Sequence, residues 1–306
     1  MTDRRRFAGI YPILYAFFDP SGALDRQAML DQVEVCIAAG AHGITVLGIV
    51  TEVAKQDVNE RRALMEMVGG AIAGRVPYAV TIAEPSVAGQ VAFAEQAKVA
   101  GADWVVLQPP PGGYGEADLI RFFGAVADRV DLPVAIQNNP VNLDTWLSID
   151  GLVTLHRNHP NVTLVKGEGP ASSVAKLIQA TGGALDVFCG HGGLELMMNL
   201  DSGAAGLIPA PELIDVQVRI YDLYRRGDAT GLAEAERLHR EVLPLIVFMS
   251  RSVPDMLCYG KRLMARRMGL TEIHDRLPAA RPDPFVTSWL EAASTMLTPF
   301  GEPAPD

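Results

Sequence analysis

The sequence predicts an α/β protein, a (β/α)8 TIM barrel followed by a C-terminal helical extension. Internal repetition is the first observation: residues 39–47 and 100–107 both begin with Ala-Gly-Ala and continue as an apolar run, 61 positions apart. That offset equals two strand-helix units of about 30 residues each. The second observation is that Pro77 and Pro133 each stand at the start of an apolar run, where a strand tolerates a missing N–H.

Short apolar runs alternating with segments of helical spacing are the third observation, typical of a parallel sheet buried on both faces. We expect eight strands, at residues 10–17, 43–47, 77–82, 103–108, 133–137, 162–166, 185–189 and 205–208. Helices fill the gaps. Beyond the eighth strand, helical spacing continues over 216–226, 229–249 and 254–268. We therefore expect the barrel to occupy residues 1–226, and the helical extension to occupy 227–306 and pack on it.

Composition favours small-molecule chemistry. The 306 residues are 49% hydrophobic and carry a net charge of −10 with only 26 lysines and arginines, which argues against a nucleic-acid partner. No apolar run approaches the roughly 20 residues that a membrane span requires, so no membrane partner is expected. Arginines at positions 4 to 6 resemble a twin-arginine signal, but Pro12 interrupts the stretch and no small-residue cleavage site follows. We expect that stretch to form the first barrel strand.

The three cysteines, Cys36, Cys189 and Cys258, are far apart and odd in number. Their spacing suggests neither a zinc site nor a disulfide framework, which fits a reducing cytoplasm.

Lys166 is the most informative residue, because it stands at the end of the apolar run 162–165. In a barrel of parallel strands the active site lies where the strands end. A lysine desolvated there can attack a carbonyl as a neutral amine and form a Schiff base. The alternative is a lysine at the barrel rim paired with Glu168.

The other residues that follow apolar runs are mostly acids and amides: Glu52, Thr81, Glu84, Gln108, Gln137, Glu168, His191 and Ile208. No His/Asp cluster among them is spaced for a metal, so metal-assisted enolisation is the weaker interpretation. We predict no cofactor and no metal site.

Four motifs, in register with the predicted strands, give the chain a resemblance to the dihydrodipicolinate synthase and N-acetylneuraminate lyase superfamily, the class I aldolases of this fold. The resemblance covers roughly residues 8 to 295, and its motifs are Gly-Ile-Val-Thr-Glu at 48–52, Gln-Asn-Asn-Pro at 137–140, Val-Lys-Gly-Glu at 165–168 and Gly-Ala-Ala-Gly-Leu-Ile at 203–208. It implies a barrel enzyme, commonly tetrameric, whose lysine at the end of the sixth strand, here Lys166, forms a Schiff base with a 2-keto acid.

Two departures from the family pattern narrow the implied activity. The family's Gly-Thr-Thr-Gly-Glu loop has lost its hydroxyls at Ile49 and Val50, so that backbone N–H groups, helped by Thr51, would cradle a carboxylate. The tyrosine of Tyr-Asn-x-Pro is replaced by Gln137, which cannot shuttle a proton as a phenol can. Synthesis of dihydrodipicolinate also needs an arginine where residues 141–142 read Val-Asn, and a tyrosine that is missing from 108–111.

The altered motifs are instead similar to the 2-keto-3-deoxy-pentonate dehydratase branch, known from L-2-keto-3-deoxyarabonate dehydratase. That likeness implies that Lys166, Gln137 and Glu168 are catalytic. The candidates for the acid and the base of a dehydration are Glu168, a water held by Gln137, Glu52 and His191, and we expect Glu168 to be the base. The substrate-binding positions it implies are Ile49, Val50, Thr51, Glu52, His191 and Ile208. Two of these have a structural alternative: Glu52 as a cap on backbone N–H groups of its loop, and His191 as a turn residue.

Other activities remain open. A retro-aldolase releasing pyruvate, or a deaminase of a cyclic imino acid, would use Lys166 in the same way. The lost hydroxyls and tyrosine also permit a catalytically silent barrel that senses a keto acid, and a metal-dependent aldolase would share the fold. Apolar residues in excess of one barrel's needs, such as Trp104 and Phe248, predict a homo-oligomer, and the resemblance makes it a homotetramer.

Overall fold

The computed structural model describes residues 6–143 and 145–301. Eight strands form one parallel sheet in the order β1-β8-β7-β6-β5-β4-β3-β2. They are β1 Gly9–Ile10, β2 Ile44–Val46, β3 Tyr78–Ile82, β4 Trp104–Leu107, β5 Val134–Asn138, β6 Val162–Gly167, β7 Asp186–Cys189 and β8 Gly206–Leu207. The sheet closes through a parallel bridge between Ile13 and Thr45, with the N–H of Thr45 donating to the carbonyl of Pro12 at 2.8 Å. The predicted barrel is confirmed.

The first strand is shorter than the predicted 10–17. Pro12 has no N–H, and beyond Ile10 the chain pairs irregularly, with the N–H of Ile13 donating to the carbonyl of Pro209 at 2.7 Å. The other seven strands lie where the apolar runs predicted them. The arginines at positions 4 and 5 lie outside the described residues.

Helices alternate with the strands as predicted, and several begin at a side-chain cap. Asp57 and Glu60 form a reciprocal capping box, in which each carboxylate accepts from the other residue's backbone N–H. The barrel helices are α1 Arg26–Ala38, α2 Val58–Ile72, α3 Val87–Val99, α4 Glu116–Ala127, α5 Ile149–Asn158, α6 Ala171–Thr181, α7 Leu196–Asp201 and α8 Ile214–Arg226.

Aromatic side chains fill the barrel near the amino ends of its strands. Trp104 stacks on Phe188 with ring centroids 5.5 Å apart, and Tyr11 packs edge-on against both. Glycines make room for this core, since a Cβ at Gly43 would lie 2.1 Å from the ring of Tyr11. The interior is therefore packed at this end, and only the opposite, carboxyl end of the strands can hold a ligand.

Three further helices follow the barrel, namely α9 Ala229–Met249, α10 Val253–Arg267 and α11 Pro284–Ala293. The axes of α9 and α10 meet at 111°, so the end of one and the start of the other lie over the carboxyl ends of the strands. Arg267 fastens α10 by an ion pair to Asp215 at 2.6 Å. Within the described ranges, no single helix has the length and apolar composition to cross a membrane, although α9 and α10 together would pass that test as a bent pair.

Candidate active site

Lys166 lies on the floor of the open end of the barrel. It is the fifth residue of β6 and sits directly beside Gln137 of β5 in the parallel register. Glu168 follows the strand, and its backbone N–H donates to the carbonyl of Asn138 at 2.9 Å. Lys166 is 5% exposed and Glu168 is 8% exposed, so both charged side chains are buried. Lys166 is therefore not an exposed lysine at the rim of the barrel.

A chain of hydrogen bonds leads to the lysine. The amide of Gln108 donates to Oε1 of Gln137 at 2.9 Å, and Nε2 of Gln137 donates to Oε2 of Glu168 at 2.8 Å. The other carboxylate oxygen of Glu168 lies 3.6 Å from Nζ of Lys166. Because the oxygen of Gln137 is already occupied by Gln108, its NH₂ group is held toward Glu168. The carboxylate is therefore fixed next to the amine, where it can take or return a proton.

These groups open into a cavity that is partly open to solvent. Six of the nine predicted site residues line it, whereas Gln137 lies behind Glu168. Its roof comes from the end of α9 and the start of α10, including Met249, Ser252 and Met256. The six predicted residues in its wall are Ile49, Val50, Lys166, Glu168, His191 and Ile208. In the described part of the chain, no group of three or more His, Cys, Asp or Glu side chains is placed to hold a metal ion.

Comparison with known proteins shows the family of the chain. A model of the dihydrodipicolinate synthetase family matches residues 6–281, which is most of the chain. The chain belongs to this family. Its members are lyases that act on small molecules, and the resemblance inferred from the four motifs is confirmed.

Individual relatives cover nearly the whole barrel. The chain is 27% identical over 302 residues to L-2-keto-3-deoxyarabonate dehydratase of Azospirillum brasilense, with 96% of each chain covered. It is 29% identical over 247 residues to 4-hydroxy-tetrahydrodipicolinate synthase of Methanoculleus marisnigri, covering 78% of this chain and 83% of the relative. The crystal structure of YagE, a prophage protein of the same family from Escherichia coli K12 in complex with pyruvate, superposes with a TM-score of 0.86 at 24% identity over 95% of this chain and 98% of that one. That last likeness shows the shared fold.

In the altered loop of this dihydrodipicolinate synthetase family member, the hydroxyl of Thr51 is bound within the protein, and its substrate-binding role stays a prediction. Its hydroxyl donates to the carbonyl of Leu14 at 2.7 Å and accepts from the N–H of Leu47 at 3.0 Å. Both hydrogen bonds close the loop on itself and on the end of the first strand. The hydroxyl is therefore already occupied, and only Ile49 and Val50 of this loop face the cavity.

Glu52 also lies outside the cavity. Its two carboxylate oxygens are each 2.5 Å from a lysine amine, those of Lys55 and Lys261, and Lys261 is in turn 3.2 Å from Asp275. The side chain of Glu52 makes no capping hydrogen bond to the backbone N–H groups of the loop. A buried charge needs charged partners, and the two lysines supply them. Glu52 thus joins the loop after β2 to α10 and does not cap that loop, while its substrate-binding role stays a prediction.

His191 occupies a strained turn in the cavity wall. Its backbone is left-handed, with φ of 52°, and two glycines that follow it are left-handed as well. The carbonyls of this turn are held by Gln217 and His239, at 2.8 and 2.9 Å. Nε2 of His191 is buried without a hydrogen-bond partner. His191 thus lines the cavity from this turn, and the same geometry also makes it a turn residue.

Besides His191, the cavity contains another buried polar side chain, that of Asn139. The sequence reasoning did not single out Asn139. Its side chain lines the cavity and is fully buried, and its Oδ1 accepts from the N–H of Asn142 at 3.0 Å. Its Nδ2 has no partner in the structure. Unpartnered buried donors are rare in folded proteins, and those that face a cavity suit a ligand oxygen. The pair Asn138-Asn139 at the end of β5 could have indicated this residue from the sequence, since a buried amide side chain usually has a hydrogen-bonding partner.

Glu212 is the other residue that the sequence reasoning missed. It lies in the short helical turn Pro211–Leu213 after β8, is 5% exposed and contributes to the cavity wall. The hydroxyl of Tyr15 donates to its Oε2 at 3.0 Å. A glutamate within Pro-Ala-Pro-Glu, just after the last strand, was the only signal in the sequence.

Proposed function

We propose that the protein dehydrates a 2-keto-3-deoxy sugar acid through a Schiff base on Lys166. The observation that carries the proposal is the buried arrangement in which Gln137 fixes Glu168 beside Lys166 at the floor of a single cavity. An amine and a carboxylate so placed supply both functions that the reaction needs, a nucleophile for the 2-keto group and a base for C3.

The steps follow from these positions. Lys166 adds to C2 and water leaves, which gives an iminium that draws electrons from C3. Glu168 takes a proton from C3, and the electron pair expels the hydroxyl of C4. C5 and its hydroxyl then each lose a proton while C3 and C4 each gain one, which makes C5 an aldehyde. Hydrolysis of the iminium finally returns Lys166 and releases a 2,5-dioxo acid.

Three features support dehydration over the synthesis of dihydrodipicolinate. The amide of Gln137 stands where the synthase pattern has a tyrosine, and an amide holds a carboxylate or a water but carries no titrating proton. The loop at Ile49 and Val50 lacks side-chain hydroxyls. A dehydratase of a 2-keto-3-deoxy sugar acid also stands among the relatives that match the whole chain.

Polar atoms higher in the cavity support a hydroxylated substrate. Nδ2 of Asn139 and Nε2 of His191 are unpartnered, and Ser250 and Ser252 line the same wall. Hydroxyl groups on C4 and C5 of a sugar acid would give these atoms hydrogen-bond partners, whereas the methyl group of pyruvate would leave them empty.

The test is reductive trapping. The protein is mixed with pyruvate or with a 2-keto-3-deoxy-pentonate, reduced with borohydride and weighed intact, alongside Lys166→Ala and a matched control, Lys176→Ala, on the exposed face of α6. The expected result is an adduct in the wild type and in the control that is absent from Lys166→Ala.

Product analysis then identifies the activity. Release of a 2,5-dioxo acid supports dehydration, pyruvate indicates an aldolase, and ammonia from a cyclic imino acid indicates a deaminase. An adduct without turnover indicates a silent keto-acid-binding barrel. Absence of any adduct in the wild type would refute the proposed chemistry. We also propose a homotetramer, which sedimentation at micromolar concentration would refute by giving a monomer.

A further inference from the structure

Glu212 is a buried acid that the proposed reaction does not yet use. It comes from the turn between β8 and α8 and shares the cavity with Lys166 and Glu168. A carboxyl that is almost fully buried in a cavity wall, away from any lysine or arginine side-chain ion pair, is uncommon, because an ionised carboxylate is costly to desolvate.

The carboxyl is held in place by a specific contact. The hydroxyl of the fully buried Tyr15 donates to Oε2 of Glu212 at 3.0 Å and also lies 3.4 Å from the carbonyl of Met256. That carbonyl begins a π-helical turn, Met256–Gly260, inside α10. A Cβ at Gly260 would lie 2.2 Å from the hydroxyl of Tyr15, so this glycine lets α10 approach the phenol closely. Such π-helical turns are frequent at functional sites.

Burial of the Glu212 carboxyl favours its protonated form, which can give up a proton. Burial raises the pKa of Glu212 to about 7, although the Tyr15 hydrogen bond and the charge of Arg267 act in the opposite direction. Arg267 donates to the backbone carbonyl of Glu212 and forms an ion pair with Asp215. Its charge is therefore largely balanced by Asp215 and not by the carboxyl of Glu212. Burial, followed by the charge of Glu212, raises the pKa of Tyr15 well above its usual range, and this phenol remains a donor.

The charged and titratable groups across the cavity are Lys166, Glu168 and His191. Lys166 and Glu168 already form a close pair on the floor. Dehydration needs an acid as well as a base, because the hydroxyl of C4 leaves far more readily as water than as hydroxide. Glu168 cannot donate that proton at the moment it accepts one from C3.

We propose that Glu212 is the acid of this reaction, protonating the hydroxyl of C4 as it leaves while Glu168 takes the proton from C3. The proposal rests on the proposed function. It assigns the two carboxyls of the cavity opposite roles, with the base beside the lysine and the acid in the wall formed after β8.

The proton balance closes with these two groups alone. The C3–H bond breaks toward Glu168, its electrons form the enamine, and the enamine expels the hydroxyl of C4 with the proton of Glu212, which gives water and a conjugated iminium. The carboxylate of Glu212 then takes a proton from C5, and Glu168 returns its proton to C3. The resulting enol becomes the aldehyde by moving its hydroxyl proton to C4. Water hydrolyses the iminium, so both carboxyls and Lys166 end as they began.

The test separates formation of the Schiff base from departure of the hydroxyl. Glu212→Gln keeps a partner for Tyr15 but has no proton to give, and Glu66→Gln, on the exposed face of α2, is the matched control. Three quantities are measured: the borohydride adduct with pyruvate, the exchange of pyruvate methyl protons in D₂O, and kcat for a 2-keto-3-deoxy-pentonate. In Glu212→Gln we expect the first two to stay within about threefold of the wild type and kcat to fall about 100-fold.

The dependence of kcat on pH distinguishes an acid from a residue with a merely structural role, because loss of a structural residue would not change the shape of this profile. The fall of kcat above neutral pH, due to loss of the Glu212 proton, should be absent from Glu212→Gln. It should shift to higher pH in Tyr15→Phe, which removes the hydrogen bond that stabilises the carboxylate. The role of Glu212 is overturned if Glu212→Gln dehydrates normally, or if it loses adduct and exchange as severely as dehydration. If the wild type itself forms no adduct, the proposed function fails and this role falls with it.

Discussion

The amide nitrogen of Gln137 donates to the carboxylate of Glu168 at 2.8 Å. Gln137 itself does not line the cavity, and through this hydrogen bond it positions Glu168. Gln137 is itself oriented by Gln108, which directly follows the neighbouring strand β4. Three strands thus cooperate to place a single carboxylate oxygen near Lys166. The amide of Gln137 suits this position, because its oxygen accepts from one neighbour while its NH₂ group donates to the other.

Gln137→Glu should change the ionisation of the proposed base, Glu168, while leaving a side chain of similar size at position 137. A second carboxyl against Glu168 disfavours ionisation of both, so one of the two pKa values rises. We expect the acidic limb of the kcat/KM profile for a 2-keto-3-deoxy-pentonate to move upward by about one pH unit. Gln137→Ala should lower kcat about tenfold or more, because Glu168 is no longer held. An unshifted profile in Gln137→Glu would show that Glu168 is not the base.

Asn139→Asp tests whether the upper cavity binds hydroxyls. The change keeps the oxygen that accepts from Asn142 and replaces the unpartnered Nδ2 donor by an acceptor. We expect KM for the sugar acid to rise about tenfold, the cost of one hydrogen bond, while the pyruvate concentration needed for half-maximal trapping stays nearly constant. Asn59→Asp, on the exposed start of α2, is the control. Equal losses for both ligands would point to a general distortion of the site.

Sequence reasoning reached the barrel because its signals are local. Buried parallel strands read as apolar runs, and the lysine, glutamate and glutamine of the cavity floor stand at the ends of such runs. The protein partners of Thr51 and Glu52 could not be foreseen because they are remote: Leu14 lies in the segment after the first strand, and Lys261 is 209 positions from Glu52. Glu212 and the roof of the cavity were missed for the same reason, since nothing in the sequence shows that α10 brings its π-helical turn against Tyr15.

Glu52→Gln should destabilise the fold far more than it alters chemistry. It would remove the negative charge between Lys55 and Lys261, and Lys261 is almost fully buried. Breaking such a buried pair by removing one partner costs about 3–5 kcal/mol in the free energy of unfolding. Urea denaturation measures this loss, and the exposed Glu66→Gln should stay within about 0.5 kcal/mol of the wild type. An unchanged free energy of unfolding combined with a raised KM would instead support the predicted substrate-binding role of Glu52.

The pH dependence of stability should carry the signature of Glu212. Burial raises the pKa of its carboxyl from 4.5 to about 7 in the folded chain, so between these values the folded state binds more protons than the unfolded state. The free energy of unfolding therefore falls as pH rises through this window, by about 3 kcal/mol for a shift of this size, and the cost is fully present above neutral pH. Other carboxylates, such as that of Glu60, have a lowered pKa and act in the opposite direction at lower pH. The contribution of Glu212 is thus the difference between the wild type and Glu212→Gln, measured by urea denaturation at intervals from pH 4.5 to pH 8. A difference that does not change across this range would mean that the carboxyl is ionised throughout, and it could not then serve as the acid.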